Sequence, residues 1–285
     1  MSACEPPAVH PRAHERIWCA YLIVVVAIDV VFGLLGHDPG PRWHAATHLV
    51  LLAVVLAIPR LVCDERLPLA RAVFTAPALL FVFSSLAWVL PALHPEPFEW
   101  RWIAADRALF GGDPSVAAQA LLHPFVVEAL QACYAVFYFV PIAVVIATWR
   151  RHGRAAFERC LFFVEFGFLI SYQGYLLWPT LPPERFLVHE LPIEGLWLAS
   201  DLHAALATAE LHRWNCFPSG HTMLSVMSLV LAWRFVRGVF WCLLPIVALL
   251  VVSTVALRYH YVVDVLAGLL GVPVAFALGA RASRA

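Results

Sequence analysis

The sequence predicts an all-α protein, a polytopic bundle of about eight membrane-crossing helices. Three observations lead there. Hydrophobic residues make up 62% of the chain and charged ones only 13%, against roughly 45–50% and about 25% in ordinary globular proteins. Mean hydropathy is +0.80. The apolar residues also fall into runs, most of them long enough to cross about 30 Å of hydrocarbon. With so little charge there is too little polar surface to cover a water-soluble sphere.

The runs follow in order. Residues 17–35 carry Asp29 alone, and residues 45–62 are broken late by Pro59 and Arg60. Residues 72–93 are free of charge, 124–148 hold only Glu128 and 160–178 only Glu165. A short run at 219–233 precedes the uncharged 239–257, and 261–280 contains Asp264. An even number of crossings puts both termini on one side. With that side inside, thirteen arginines are internal and six external (42, 101, 107, 185, 213 and 258). The positive-inside bias therefore predicts both termini in the cytoplasm, with Arg150, Arg151 and Arg154 as the main anchor. The first run is long and lacks a small-residue cleavage site, so it reads as a retained span.

Several function classes drop out. The 19 basic residues, all arginine, are balanced by 19 acidic ones, so no net positive field exists to hold nucleic acid. Seven cysteines make no disulfide framework, because only Cys216 falls clearly outside and it has no external partner. No internal repeat or nucleotide-binding glycine loop occurs. Alanine- and arginine-rich, lysine-free composition points to a bacterial inner membrane.

Two external segments are long. In residues 94–123, Asp113-Pro114 reads as a helix start, the helix running to about His123. In residues 179–218, Leu198, Leu202 and Leu206 recur at helical spacing, a packing stripe.

Charge at membrane depth is costly, so the polar clusters there are the candidates for chemistry. Cys216-Phe217-Pro218-Ser219-Gly220-His221 opens the sixth run. Ser219 and Gly220 leave free backbone N–H groups at the positive end of a helix, which suits an anion, and His221 adds a titratable ring. Arg258-Tyr259-His260-Tyr261-Val262-Val263-Asp264 opens the eighth. His260 and Asp264 share a helix face. The carboxylate can accept Nδ1–H of His260, leaving Nε2 as a nucleophile. The arginine tally puts His221, His260 and Arg185 at the external end of the membrane.

CFPSGH, with HYVVD 39 residues after its histidine, resembles the type-2 phosphatidic acid phosphatase superfamily. Within it the chain looks most like the branch that includes inositol-phosphoceramide synthases. The similarity extends from about Ala105 to Ala280 and takes in LFGGDPS and GYLLWPTLPPER. The resemblance implies a six-span catalytic core, residues 72–285, behind a two-span extension, residues 1–71. It implies that His260 is the nucleophile forming a phosphohistidine, Asp264 its orienting carboxylate and His221 the general acid. Ser219, Gly220 and Arg185 would hold the phosphate, with no metal or other cofactor. Two positions depart from the family pattern. Trp178 stands where the first motif has lysine, and Ser253-Thr254 where the third has Ser-Arg, which makes Arg258 the candidate replacement cation.

The expected activity is hydrolysis of a lipid phosphate or diphosphate at the outer leaflet of the bilayer. The alternative is transfer of a phospho-headgroup such as inositol phosphate to a lipid or sugar hydroxyl. A lipid transporter or scaffold with a decayed site is the third reading. His123, His189, His203 and His212 read as interfacial belt residues. Asp29, Glu128 and Glu165 match no family motif and read as paired structural acids outside the site.

Overall fold

The computed structural model describes residues 9–34, 43–93, 98–209 and 214–284. Leu35, Arg42, His212, Arg213 and Cys4 of the sequence reading lie outside them. The described chain is helical, with no strand beyond a single Thr180–Asn215 bridge.

Three long helices come first: α1 (Ala13–Leu34), α2 (Trp43–Leu61) and α3 (Leu67–Leu93). Two short ones follow, α4 (Glu99–Phe110) and α5 (Pro114–Ala118). Then come α6 (Pro124–Ala135), α7 (Phe139–Leu177), α8 (Ala199–Ala209), α9 (Gly220–Phe235), α10 (Arg237–Ala256) and α11 (Val262–Ala282). Among the described residues, six helical stretches are long and apolar enough to cross a membrane. One of these, Pro124–Leu177, is 54 residues long, far more than the roughly 20 residues a crossing needs. It is broken at Gly153, whose φ of 72° and ψ of −159° lie outside the helical region.

Packing shows that the chain reverses there. Before Gly153, Tyr134 and His152 lie beside His221 and Phe235 at the two ends of α9, so this arm runs with α9. After it, Gly167 faces Leu224 and Gly174 faces Pro218, so the second arm runs against α9. Counting the two arms separately and adding the 16-residue α9 gives the eight crossings that the sequence predicts.

α1 and α3 run with the second arm of α7. His14 lies by Phe162 and Tyr21 by Tyr172, while Thr75 bonds Glu165 and Phe83 lies by Tyr175. α11 descends beside α9, with Gly268 against Ser219 and Gly279 against Phe163. The bundle thus has two ends. His10 N–H donates to the Ser283 carbonyl (2.7 Å), so both ends of the described chain meet at one of them. His221 and His260 are at the other.

The intramembrane acids are paired, as expected. His14 holds Glu165 at 2.6 Å, and His44 holds Asp29 at 2.8 Å. Glu128 accepts the N–H groups of Leu196, Trp197, Leu198 and Ala199, tying α6 to the start of α8. Helix α4 is absent from the sequence reading. The helix expected from Pro114 to His123 is shorter, turning into a single 3₁₀ turn at Gln119–Leu121. Asp113 does not cap it through its side chain, because both carboxylate oxygens hold Arg107 at 2.7 and 2.8 Å.

Candidate active site

Residues 214–219 form the turn that leads into α9. Cys216 N–H donates to the Thr180 carbonyl at 3.1 Å. Phe217 stacks on Trp102 with centroids 4.3 Å apart and meets Trp178 edge-on at 5.9 Å. The Phe217–Pro218 peptide is cis, and Pro218 precedes the cap instead of opening the helix. Ser219 is the cap: its Oγ accepts Thr222 N–H at 3.3 Å, and its own N–H donates to the Asp264 carbonyl at 3.0 Å. Gly220 and His221 N–H find no acceptor among the described residues. They are the free amides at the positive end of α9 that an anion needs.

Two glycines make this close packing possible. A Cβ at Gly268 of α11 would sit 2.6 Å from the Ser219 carbonyl oxygen, and one at Gly220 would sit 2.2 Å from the Tyr175 hydroxyl. Neither position has room for a methyl group.

The second motif begins as α10 ends. Arg258 takes a left-handed φ of 67°, a conformation usually left to glycine at this point of a helix end. Tyr259 and His260 N–H both donate to the Thr254 carbonyl, at 2.9 and 2.8 Å. The hydroxyls of Ser253 and Thr254 bond back to Leu250 and Val251 within their own helix. Thr254 therefore positions His260 through its backbone. Tyr261 caps α11, its N–H donating to Asp264 Oδ2 at 2.9 Å. The next two amides, Val262 and Val263, both donate to the Asp106 carboxylate of α4 at 2.9 Å. Burial pushes the Asp106 carboxyl above its ordinary value, and those two amides pull it back down.

His221 and His260 come together, with ring centroids 5.8 Å apart. Both are buried. Nδ1 of His260 lies 3.0 Å from the Cys216 carbonyl oxygen and 3.4 Å from Asp264 Oδ2. Both can only accept, so Nδ1 carries the hydrogen and Nε2 keeps its lone pair in the neutral ring. The nearer orienting group is thus a backbone carbonyl that the sequence reading missed. Nε2 of His221 is buried without a hydrogen-bond partner among the described residues.

His221 rests on Tyr134 (4.5 Å), which stacks on Tyr259 (4.1 Å), which in turn meets His203 of α8 (5.7 Å). The Tyr259 hydroxyl accepts from His203 Nδ1 at 2.7 Å and donates to Gln131 at 3.0 Å. His203 is therefore part of the site's surroundings and not a belt residue, and burial pushes its ring below the ordinary value. His123 caps α6, accepting Phe125 N–H at 3.3 Å, and His189 lies 3.3 Å from Ser115 Oγ.

The arginines stand apart from this core. Arg258 donates to the Leu191 carbonyl, while its Nε has no partner among the described residues. Arg185 ends the Pro183–Arg185 turn, exposed, and its side chain makes no hydrogen bond or ion pair among the described residues. Ser219, Gly220, His221, His260 and Asp264 are thus brought together, and among the described residues no hydrogen bond or ion pair joins Arg185 or Arg258 to them.

Cys216, His260 and Asp264 lie close enough to share a cation. Hydrogen bonds already account for their proximity: the Cys216 thiol donates to the Tyr259 carbonyl at 3.2 Å, and His260 donates to the Cys216 carbonyl. The chemistry open to this arrangement is nucleophilic attack by His260 Nε2 on an electrophile held at the α9 amides, with His221 alongside as proton carrier.

A family model described as the PAP2 superfamily matches residues 100–278. No curated protein and no solved structure matches the chain.

Proposed function

The chain belongs to the PAP2 superfamily, and on that premise we propose that it is an integral-membrane phosphatase that hydrolyses a lipid phosphate or diphosphate through a phosphohistidine. The observation that carries the reading is the pairing of His221 and His260, ring centroids 5.8 Å apart, beside α9 amides that have no acceptor among the described residues. That separation lets both rings touch one phosphoryl group.

The phosphate oxygens accept from Gly220 and His221 N–H, with Arg185 supplying positive charge from the 183–185 turn. Arg258 serves as a second cation if it leaves Leu191. Nε2 of His260 forms a bond to phosphorus as the bond to the lipid oxygen breaks. Protonated His221 gives its proton to that oxygen. Asp264 and the Cys216 carbonyl stabilise the charge that develops on the His260 ring. Water then attacks phosphorus, His221 takes its proton, and the N–P bond breaks to restore His260. Preorganised amides and cations at the developing charge supply the electrostatic stabilisation, so no step calls for a metal. Orientation with the termini inside puts this chemistry on the external face, and the arginine distribution supports it.

Transfer is the second reading, favoured by one feature: Trp178 and Ser253-Thr254 replace cations of the family pattern, and Trp178 packs on Phe217. A phosphohistidine captured by a lipid or sugar hydroxyl instead of water gives that outcome. The test is phosphate release from a panel of lipid phosphates by protein in detergent, with vanadate as inhibitor, alongside transfer to an added alcohol. His260→Ala and His221→Ala should each abolish turnover in folded protein. An active His260→Ala enzyme ends the proposal, and transfer exceeding release selects the second reading.

A further inference from the structure

A second cluster of titratable groups joins α1, α2 and α3, outside the matched residues and unused by the chemistry above. Asp29 lies near the end of α1, His44 in the first turn of α2 and His48 one turn further on. They are 7%, 3% and 0% exposed, and ligating atoms of all three lie within 4.8 Å of one another.

Hydrogen bonding fixes which atoms face inward. His44 Nε2 donates to the Ser85 carbonyl at 3.1 Å, and His48 Nδ1 donates to the His44 carbonyl at 2.8 Å. Carbonyls only accept, so those nitrogens carry the hydrogens. In neutral rings the lone pairs are then on Nδ1 of His44 and Nε2 of His48. His44 Nδ1 lies 2.8 Å from Asp29 Oδ2, lone pair against carboxylate. The Ser85 hydroxyl lies 2.7 Å from the Val82 carbonyl oxygen and 3.1 Å from His48 Nε2, and its single hydrogen can go to either. Asp29 Oδ1 is buried with no hydrogen-bond partner among the described residues. Acceptors packed this closely away from water require positive charge between them. A proton shared by Asp29 and His44 supplies it for that pair alone; a cation supplies it and also engages the lone pair of His48 Nε2, which lies within the same cluster.

We propose that Asp29, His44 and His48 bind a divalent transition-metal ion of the zinc class, through the Asp29 carboxylate, His44 Nδ1 and His48 Nε2, with Ser85 Oγ beside the fourth position. The donor set of two imidazoles and a carboxylate suits that class. The histidines are four residues apart on one helix face. Each anchors its other nitrogen on a backbone carbonyl, the outer-shell arrangement that orients metal-ligating histidines. The ion bolts the first three helices together at the same end of the bundle as His221 and His260.

The experiment is metal analysis of detergent-purified protein from zinc-supplemented cells, followed by chelation and titration with cobalt(II). Expected are about one zinc per chain, a cobalt absorption band of low-symmetry coordination and a thermal midpoint that falls on chelation. Asp29→Asn and His48→Gln should lose all three effects, while Cys216→Ser keeps them. Folded wild-type protein with no metal above background and no cobalt band overturns the proposal and leaves a proton-held ion pair. Metal that survives Asp29→Asn and His48→Gln but vanishes in Cys216→Ser also overturns it, by assigning the ion to the other cluster. The wild-type titration decides the matter even if a variant fails to fold.

Discussion

Asp106 is the most informative residue to change, because it touches neither histidine and yet holds the start of α11, the helix that His260 leads into. Its two oxygens accept the Val262 and Val263 amides at 2.9 Å each, and the side chain is buried. Asp106→Ala leaves two part-buried donors unpaired, each toward the lower end of the about 1–3 kcal/mol that a buried orphan costs. Asp106→Asn restores one acceptor and removes a carboxylate whose burial opposes its charge, so it should cost about 1 kcal/mol. With about 2–4 °C per kcal/mol for a domain somewhat smaller than this chain, alanine should lower the unfolding midpoint by roughly 5–10 °C and asparagine by a few degrees. His260 is two residues before Val262, and a displacement of about 1 Å at a reacting group costs on the order of 100-fold in rate. Alanine should therefore depress kcat strongly, and asparagine less. Because the Asp106 carboxyl titrates above its ordinary value, its stabilising contribution is greatest below the ordinary aspartate range and fades as pH rises through the raised value. The wild-type midpoint should accordingly gain on that of Asp106→Asn as pH falls. The assay is thermal unfolding in detergent at fixed scan rate, paired with phosphate release. An alanine variant with wild-type midpoint and kcat would show that α11 does not depend on this clamp.

Other variants probe the remaining ties. Gly268→Ala forces a Cβ to within 2.6 Å of the Ser219 carbonyl; overpacking of this kind costs about 1–3 kcal/mol, and activity should fall with the unfolding midpoint. Asp264→Asn should reduce kcat without abolishing it, since the Cys216 carbonyl, nearer at 3.0 Å, still fixes the His260 tautomer; a loss equal to that of His260→Ala would give Asp264 the whole orienting role. Tyr134→Leu removes the ring between His221 and Tyr259. It should lower kcat more than KM, and unchanged kinetics would make the stack purely structural.

Legibility in the sequence followed the range of the contacts. The spans could be read because apolar runs are local, and the turn at Gly153 was implied by the arginine cluster between two runs. His221, His260, Ser219, Gly220 and Asp264 stood out because each motif sits within one helix start, where spacing alone fixes the relation of neighbours. Asp106 was invisible: it acts on Val262 across 156 residues, and its partners are backbone amides that carry no residue signature. Tyr134 and Gln131 were hidden inside an apolar run, where an aromatic or amide reads as packing. Helix α4 could have been found. It has Glu99 in its first turn, Arg107 in its last and Gly111 beyond its end with a left-handed φ of 75°, the ordinary start and stop signals. Its charge-bearing sequence contains no long apolar run, which is the signal that marks the spans.

The two motifs form one mechanical unit despite the distance between them in the chain. Ser219 N–H bonds the Asp264 carbonyl, the Cys216 carbonyl accepts from His260, the Cys216 thiol bonds the Tyr259 carbonyl, and Gly268 lets α11 close onto Ser219. Each tie runs from the turn before α9 to the start of α11, and three of them use backbone atoms at one or both ends. A movement of either helix start therefore carries the other with it, so the spacing of the two imidazoles is conserved while the whole unit shifts. Side chains of the surrounding elements act on the unit from outside: Asp106 from α4, Tyr134 from α6 and, through the Tyr259 hydroxyl, His203 from α8. Such an arrangement keeps His260 and His221 in register at the rim of a helical bundle without relying on a long loop. It also concentrates sensitivity to substitution in glycine, serine and backbone-directed contacts that a reading of side-chain chemistry alone passes over.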